Sequence, residues 1–368
     1  YIMAVTRQGT FGAENHSITR LDLFGGQTTP PVIATVAKTG AHSYQHQGSA
    51  FGRTFTATAI RSVCALRHGG AQTVGRLPIV TIGVGYAPLS IMWEPEIGAL
   101  QLMAGFEEDD TAYRYPIAVA PHDPFATSPT AWKIAGIAAK IDAVAGYVSF
   151  YLEGQKLLTW TGDTRIYAME SVDLLSTITG VYWFGNEYDV TFTDEYWPLG
   201  IWGPNSFVDD LTIDSLTDAD VVDVAPRYRS LIWAMASTNG DTIQWTPVGA
   251  PTNDAAVKEN PADDASSYVT TATADKTDEY VVAQPIPLTG FTPEVVTVVA
   301  RGKRASTEGV NKVGLLTKTG EVSNVAVAQT LPTDWNEIES TFWTKPDGIT
   351  AWDALSVTAL KIGIKSSE

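Results

Sequence analysis

The chain contains many short segments in which apolar and polar residues alternate. Of its sequence features, this pattern most restricts the folds that the chain can adopt. Residues 51–58, 79–86 and 99–103 are examples. Alternation with a period of two is typical of β-strands that turn one face toward a core. No segment of three or more turns shows apolar residues at helical spacing, and the 31 Gly and 20 Pro are spread along the chain, which suits many turns. The sequence therefore predicts an all-β protein with at most one or two short helices.

The length of 368 residues predicts two domains, because a single core seldom serves a chain of this size. We expect the first domain over residues 1–215 and a second, smaller antiparallel β-sandwich over residues 231–368. Residues 216–230 are expected to form the linker, since they hold scattered acidic residues and a proline but little apolar periodicity.

A hairpin signal stands out in the first domain. Residues 146–160 contain two alternating segments around Glu153-Gly154-Gln155, and residues 206–214 form a further alternating segment. This arrangement resembles the late strands of the concanavalin-like (laminin-G-like) jelly-roll superfamily. The resemblance implies an N-terminal concanavalin-like jelly-roll β-sandwich. It does not fix the function, because that fold serves lectins, glycosidases and inert spacers.

The end of the chain carries a second resemblance. Residues 346–352, with the sequence Pro-Asp-Gly-Ile-Thr-Ala-Trp, lead into an apolar strand at residues 359–364. The segment is similar to the closing part of a β-sandwich in minor structural and fibre proteins of tailed bacteriophages, except that Thr350 precedes Trp352 instead of following it. The resemblance implies a structural or adhesive virion protein: a head spike, decoration protein, tail fibre or receptor-binding protein that acts by multivalent surface contact. It also implies other virion proteins as partners, a homo-oligomer for which a trimer is our first expectation, and a virion-surface location after synthesis in the host cytoplasm.

Composition restricts the partners. A net charge of −17 disfavours nucleic acid and anionic membranes, and the only compact basic cluster, Arg301, Lys303 and Arg304, is expected to be a solvated hairpin tip. The single cysteine, Cys64, lies in an apolar segment and predicts a buried side chain without a disulfide, which suits a reducing cytoplasm. We expect no membrane insertion, because no apolar segment approaches the roughly 18 residues of a membrane span. No signal peptide is recognisable, and a start at Tyr1 is compatible with missing or processed N-terminal residues.

The sequence predicts that the protein is not an enzyme. A glycan-cleaving glycoside hydrolase is the strongest catalytic alternative, since some concanavalin-like families place carboxylates at alternate positions of one strand. Residues 187–192 match this pattern in part, but Thr191 stands where the second glutamate is needed. The Glu94-Pro95-Glu96 segment contains a proline that interrupts strand pairing, so an edge or loop is expected there. His42 and His46 are surrounded by glycines and do not suggest a helical zinc pair.

Aromatic and acidic side chains are concentrated in residues 182–202, and these are the candidate binding residues. Aromatic faces and carboxylate acceptors together are typical of sugar-binding surfaces. A sandwich core or a contact between subunits would use the same residue types. In the glycan-binding alternative, the chain is a lectin-like adhesin module that contacts host-surface glycans. The candidate contact residues are then Trp183, Tyr188, Asp189, Trp197 and Trp202.

No cofactor is expected. Asp209 and Asp210 are weak calcium candidates by the resemblance to the jelly-roll superfamily, but one of two adjacent strand residues faces outward, which favours an exposed or turn-capping role.

Overall fold

The structure is a computed structural model of the chain. It describes residues 5–11, 22–23, 32–34, 43–45, 51–68, 77–84, 87–108, 111–125, 130–167, 174–183, 190–192, 195–197, 207–216, 223, 226, 234–258, 266–283, 292–304 and 310–368. The chain forms two compact units, unit 1 over Tyr1–Leu231 and unit 2 over Ile232–Glu368.

Unit 1 consists of β-strands in its described part. Its strands are β1 (Val5–Phe11), β2 (Asp22–Leu23), β3 (Val32–Ala34), β4 (Ser43–Gln45), β5 (Phe51–Ala57), β6 (Ala59–Arg67), β7 (Leu77–Val84), β8 (Ala87–Glu94), β9 (Ala99–Glu108), β10 (Thr111–Ala120), β11 (Lys133–Lys140), β12 (Gly146–Leu152), β13 (Gln155–Gly162), β14 (Ile166–Tyr167), β15 (Leu174–Leu175), β16 (Ile178–Trp183), β17 (Val190–Phe192), β18 (Glu195–Trp197) and β19 (Phe207–Leu216).

Two large sheets and one small hairpin contain these strands. The eight-stranded sheet has the order β13-β12-β11-β6-β19-β4-β3, with β1 also paired to β19, and the nine-stranded sheet has the order β18-β17-β10-β9-β8-β7-β16-β5-β2. Pairing is antiparallel except between β10 and β17. Strand β19 is central because β6 lies along one side, while β4 and β1 share the other side in succession.

The core of unit 1 lies between the two large sheets. Alternate residues point inward from both sheets, as the period-two pattern predicts; they include Ile60, Cys64, Leu66, Ile82, Ile91, Leu102, Ile137, Phe150, Val181 and Ile213. Cys64 is a buried free thiol, as the sequence indicates. Unit 1 is therefore an all-β sandwich of the jelly-roll type, and this confirms the fold expected from the sequence.

The predicted hairpin is present. Strands β12 and β13 pair from Gly146↔Gly162 to Leu152↔Gln155 and leave Glu153 and Gly154 as a two-residue turn. Both turn residues have positive φ, 50° at Glu153 and 78° at Gly154, which matches the twist of the flanking strands. Glycine is suited to the second position because it has no side chain to oppose that conformation.

Unit 2 is a smaller all-β unit with two short helices. Its elements are β20 (Ala236–Ile243), β21 (Thr246–Val248), α1 (Asn253–Val257), β22 (Tyr268–Thr270), β23 (Thr277–Val282), β24 (Val296–Gly302), β25 (Lys312–Thr319), β26 (Val322–Val325), β27 (Gln329–Thr330), β28 (Asn336–Phe342), α2 (Ala354–Thr358) and β29 (Lys361–Ser367). The main sheet has the order β20-β23-β29-β25-β26 with β27 also paired to β25, and β21-β22 and β24-β28 form two further antiparallel pairs.

The segment that resembles the phage proteins closes the core of unit 2. Asp347 accepts hydrogen bonds from the backbone N–H groups of Ile349 and Thr350, which fixes a tight turn. Trp352 is buried and donates its indole N–H to the Phe342 carbonyl at 2.8 Å. Asp353 then caps α2 through the Ser356 backbone N–H. The motif thus supplies a turn, a core side chain and a helix cap.

The close approach of two strands explains why residue 363 in the last strand is a glycine. Strand β29 lies between β23 and β25, and a Cβ atom at residue 363 would come within 2.1 Å of the Asp278 carbonyl oxygen on β23. Only glycine allows the two backbones to approach this closely.

Candidate functional site

Trp183 lies in the core of unit 1 and not on a binding surface. Its side chain is 0% exposed, and its indole N–H donates to the Ser62 hydroxyl on β6 at 2.9 Å. Ser62 in turn donates to the Thr212 carbonyl on β19 at 3.0 Å. A buried indole needs such an acceptor. The glycan-contact hypothesis for Trp183 is thereby corrected in favour of its core alternative.

The other aromatic candidates are described only in part or not at all. Trp197 ends β18, whose backbone pairs with β17 through Val190↔Trp197, while its side chain lies outside the described part of the structure. Tyr188, Asp189 and Trp202 lie outside the described residues. Of this predicted cluster, the structure therefore locates the side chain of Trp183 alone.

The two calcium candidates belong to β19. Asp209 pairs with Ala65 of β6, and the register shifts between Asp209 and Thr212, so Asp210 stands in an irregular part of the ladder. Their side chains lie outside the described part of the structure. No group of three or more potential metal ligands occurs among the residues that the structure describes.

Glu94 and Glu96 do not converge. Glu94 is the last residue of β8, nearly buried, and accepts a hydrogen bond from the Gln101 side chain on β9. Residues 95–98 form the turn between these strands, where Gly98 donates its backbone N–H to Pro95, and Glu96 is exposed. The loop expected around the proline is therefore present.

Asp223 contacts the outer face of the eight-stranded sheet. Its carboxylate accepts hydrogen bonds from Ser149, Tyr151 and Lys156, at 2.7, 2.6 and 2.5 Å. Partial burial acts to raise the Asp223 pKa, but these three donors outweigh burial and lower it below its usual value. Pro226 lies next to Gly136 of the same sheet. Both residues belong to the 216–230 segment that the sequence suggests as a linker, and in the structure they pack on unit 1.

Asp278 is the hub of a buried hydrogen-bond network in unit 2. One carboxylate oxygen accepts from the backbone N–H groups of Gln244 and Trp245, at 2.6 and 2.8 Å. The other accepts from the Asn253 amide at 2.5 Å and from the Tyr280 hydroxyl at 2.9 Å. Burial is the main reason why the Tyr280 pKa is raised, and the Asp278 carboxylate raises it further. Four donors to one carboxylate fix the start of β21 and helix α1 against β23.

A group of cationic and aromatic side chains in unit 2 forms a surface that the sequence interpretation missed. We call the following four residues the cation–aromatic surface: Tyr268, Lys303, Arg304 and Trp335. The Lys303 ammonium lies 5.1 Å from the centre of the Trp335 ring, and the rings of Trp335 and Tyr268 meet edge to face at 5.7 Å. The Arg304 backbone N–H donates to the Pro332 carbonyl at 2.8 Å, which joins the cationic segment to the segment that carries Trp335.

The sequence expectation for this basic cluster was a solvated hairpin tip. Arg301 lies in β24 directly opposite Glu337 of β28, so a carboxylate of opposite charge faces it in the register. Lys303 and Arg304 follow the end of the strand. The basic cluster was visible in the sequence, but Trp335 and Tyr268 are about 30 residues away along the chain on either side, and nothing local indicates that they meet it.

Comparisons with known proteins give distant structural likenesses. No protein-family model matches the chain, and no curated protein matches it. An alginate lyase from a Chlorella virus is 12% identical over 57% of this chain and 100% of its own length, with a TM-score of 0.34. A carbohydrate esterase from the Shiga toxin-encoding bacteriophage phi24B is 11% identical over 58% of this chain and 100% of its own length, with a TM-score of 0.34.

A carbohydrate-binding module of family 66 from Bacillus subtilis is 8% identical over 54% of this chain and 97% of its own length, with a TM-score of 0.32. The structural neighbours named here are thus carbohydrate-related β-sandwich proteins. Likenesses at these scores carry no conclusion about the activity of this chain.

Proposed function

We propose that this chain is a non-enzymatic structural and adhesive component on the surface of a tailed-bacteriophage virion. As a head spike, decoration protein, tail fibre or receptor-binding protein, it acts through many weak contacts made by many copies. The observation that carries the proposal is the closing segment of unit 2. The residues that carry the phage resemblance, Pro346 to Trp352, also form the turn and supply a core side chain of that unit. The resemblance therefore concerns residues that determine the fold of the unit and not variable surface positions.

The roles of the described carboxylates support a non-catalytic function. A retaining glycosidase needs two carboxyl groups about 5–5.5 Å apart across a sugar-binding cleft. Here Asp223 and Asp278 each accept at least three hydrogen bonds within the fold, and Glu279 is ion-paired to Lys318 at 3.0 Å. These three carboxylates therefore have structural partners within the fold, which supports a structural role for them.

Exposed apolar side chains in unit 2 support assembly into a homo-oligomer. Ile349 and Leu355 are 86% and 80% exposed, and Trp343 is 37% exposed. Trp343 and Ile349 lie between the end of β28 and helix α2, and Leu355 lies in α2. Hydrogen bonds such as that from the Lys345 N–H to the Thr350 carbonyl hold the connecting segment in shape. Single exposed apolar residues are ordinary, but several on one rigid segment suit a subunit contact. A homotrimer is the form that we propose.

Two experiments test the proposal. Particles of the virus that encodes this chain should contain it after extensive washing, as measured by mass spectrometry, and electron cryomicroscopy should show repeated surface density that fits both β-sandwich units. Absence of the chain from washed particles would refute the virion role. The purified protein should also release no reducing ends from a panel of polysaccharides, and release above a heat-inactivated control would refute the non-enzymatic role.

The oligomer is tested separately by mass photometry of the purified chain. Replacement of Ile349 and Leu355 by Ser should shift the mass distribution toward the monomer. Replacement of Val144 by Ser, in unit 1 and 83% exposed, is the matched control and should leave the distribution unchanged. A wild-type protein that stays monomeric at micromolar concentration would contradict the homo-oligomer.

A glycan-binding adhesin is the second candidate function. It is compatible with the first, since a virion protein can contact the host through sugars. The observation that favours it is the cation–aromatic surface, because planar rings beside cationic side chains are suited to a charged sugar.

A further inference from the structure

We propose that the cation–aromatic surface of unit 2 binds an acidic saccharide. Lys303 and Arg304 contact its negatively charged groups, and Trp335 supports a sugar ring. This inference rests on the proposed adhesive function and extends it by naming the place on the chain and the chemical class of the ligand.

The aromatic part of the surface is fixed in position before any ligand arrives. Trp335 immediately precedes β28, and Tyr268 begins β22, which pairs with β21 through Val248↔Tyr268. The edge-to-face contact between the two rings is 5.7 Å between centroids at 64°. Both side chains are half-buried, so each is anchored and still reaches solvent. A ring that is already immobile loses little conformational entropy on binding.

The cationic part differs from most lysines of unit 2 in its partners among the residues that the structure describes. Other lysines of unit 2 form ion pairs with carboxylates: Lys258, Lys318, Lys345, Lys361 and Lys365. Neither Lys303 nor Arg304 forms an ion pair within the described part of the chain, and Lys303 is exposed. The Arg304 Nε atom is buried and has no hydrogen-bond partner in the described residues. The buried Nε atom is closed to a ligand, but the two Nη groups of a guanidinium can still make a bidentate contact with a carboxylate or sulfate group.

The backbone places the two parts side by side. Gly302 ends β24, and a Cβ atom there would lie 3.2 Å from the Leu331 side chain, so the strand end packs closely on the segment that leads to Trp335. The hydrogen bond from Arg304 N–H to the Pro332 carbonyl continues this contact. The cations and the indole ring therefore belong to one connected surface rather than to two mobile loops.

The charge balance disfavours nucleic acid as the ligand of this surface. The chain carries −17 overall, but at physiological salt exposed charges are screened beyond about 8 Å, so the local pair of cations governs a small ligand. Two cations displace about two counterions from a nucleic acid, which is too few for stable binding against a strongly negative protein. An acidic saccharide offers carboxylate or sulfate groups to the two cations and sugar-ring faces that can pack on Trp335. The resulting affinity for one site is weak and becomes useful through many copies.

The test measures binding of the full-length protein to immobilised polymers by biolayer interferometry. The probes are polygalacturonate as a carboxylated polymer, heparin as a sulfated polymer, dextran as a neutral polymer and a single-stranded oligonucleotide. The wild type should bind at least one acidic polysaccharide at least about tenfold more tightly than dextran and the oligonucleotide, which corresponds to a clear difference in binding free energy. The ratio between polygalacturonate and heparin identifies the carboxylate or sulfate as the preferred group.

Variants connect the binding to the surface. The double replacement Lys303→Ala with Arg304→Ala should weaken the binding by about tenfold or more, and Arg304→Lys alone should weaken it less, because the charge stays while the fork is lost. Trp335→Ala should also weaken it. Lys365→Ala is the matched control, since Lys365 lies in the same unit, reaches solvent and pairs with Asp275 at 3.1 Å. Circular dichroism verifies that each variant is folded.

The outcomes separate this inference from the proposed function. Equal binding of the double variant and the wild type, equal binding of dextran and the acidic polymers, or preferred binding of the oligonucleotide each overturns the inference. If washed particles contain the chain and the double variant binds normally, the virion role stands and the saccharide site falls. If the surface binds as expected and the chain is absent from particles, the saccharide site stands and the virion role falls.

Discussion

Replacement of Asp278 by Ala should make unit 2 unfold far more readily, because four hydrogen-bond donors lose the carboxylate that accepts from them. Asp278 is 0% exposed. Its loss removes the acceptor of the Trp245 backbone N–H and of the Tyr280 hydroxyl. The Gln244 N–H and the Asn253 amide also lose it, but they keep the Thr277 carbonyl at 3.2 Å and the Trp245 carbonyl at 2.9 Å. An orphaned buried donor costs about 1–3 kcal/mol, and water entering the cavity recovers part of this cost. We expect the free energy of unfolding of unit 2 to fall by about 4 kcal/mol.

The conservative variant Asp278→Asn makes the reasoning quantitative. Asparagine retains one oxygen, which can keep both backbone N–H donors, while its NH₂ group faces the Asn253 amide as a second donor. We expect a loss of about 2 kcal/mol, intermediate between wild type and alanine, because one acceptor is replaced by an opposed donor. Asp275→Asn is the control: its side chain is 82% exposed and pairs only with Lys365, so the change should stay below about 1 kcal/mol.

The assay is native-state hydrogen exchange of the full-length chain in increasing urea, read by mass spectrometry on peptides from 236–258 and 266–283. These peptides report the opening free energy of unit 2 separately from that of unit 1. If Asp278→Ala lowers that energy by less than 1 kcal/mol, or if Asn is as harmful as Ala, the hydrogen-bond network does not hold β21 and α1 in place.

Three further predictions concern a core tryptophan, an acidic turn and a strand glycine. Trp183→Phe should lower the free energy of unfolding of unit 1 by about 1–2 kcal/mol and leave saccharide binding unchanged. Ser62→Ala should lower the same free energy by about 1–3 kcal/mol, because the buried indole N–H of Trp183 loses its acceptor. Thermal unfolding and the binding assay described above measure both effects. The Thr350 hydroxyl and the backbone N–H groups of the turn lower the pKa of Asp347 to about 2, so the turn's stabilisation is present above the usual carboxyl pKa of about 3.9 and is lost as pH falls through 2. NMR titration should show this value, and Asp347→Asn should remove the pH dependence of the turn amides. Gly363→Ala should destabilise unit 2 by more than about 2 kcal/mol in hydrogen exchange, because its Cβ would overlap a carbonyl oxygen of the next strand.

Each of these expectations has a contradicting result. A change in saccharide binding by the folded Trp183→Phe variant would return that residue to the binding site. An ordinary carboxyl pKa for Asp347 would show that the turn donors do not engage it in solution. Wild-type stability of Gly363→Ala would show that β29 and β23 can separate to admit a methyl group.

The sequence predicted the elements that depend on local pattern. Residue periodicity and turn chemistry predict the turn at Glu153 and Gly154 and the alternating strand β19, and the structure contains both. They also predict few helices, and the described residues form two short ones. The indole of Trp183 could not be assigned in advance, because alternation states that a strand has two faces and does not state which face meets the second sheet. Its partner Ser62 is 121 residues away.

The candidate surface shows the same limit. Lys303 and Arg304 could be counted from the sequence, but their value depends on their having no ion-pair partner among the described residues and on the presence of Trp335 and Tyr268. Both conditions are set by the packing of three separate strands, β22, β24 and β28, and no pattern within one segment encodes such packing.

The position of β19 has a consequence for how the chain is made. This strand holds β6, β4 and β1 together, and the register joins Val5 at the start of the chain to Leu216. Its partners leave the ribosome long before it does, at about 5–20 residues per second, and pairings this distant in sequence form slowly. The earlier strands therefore lack the β19 position of their sheet for roughly ten seconds or more during synthesis. During that interval they expose unpaired edges, and a high local concentration of nascent copies would favour strand exchange between neighbours over closure within one chain.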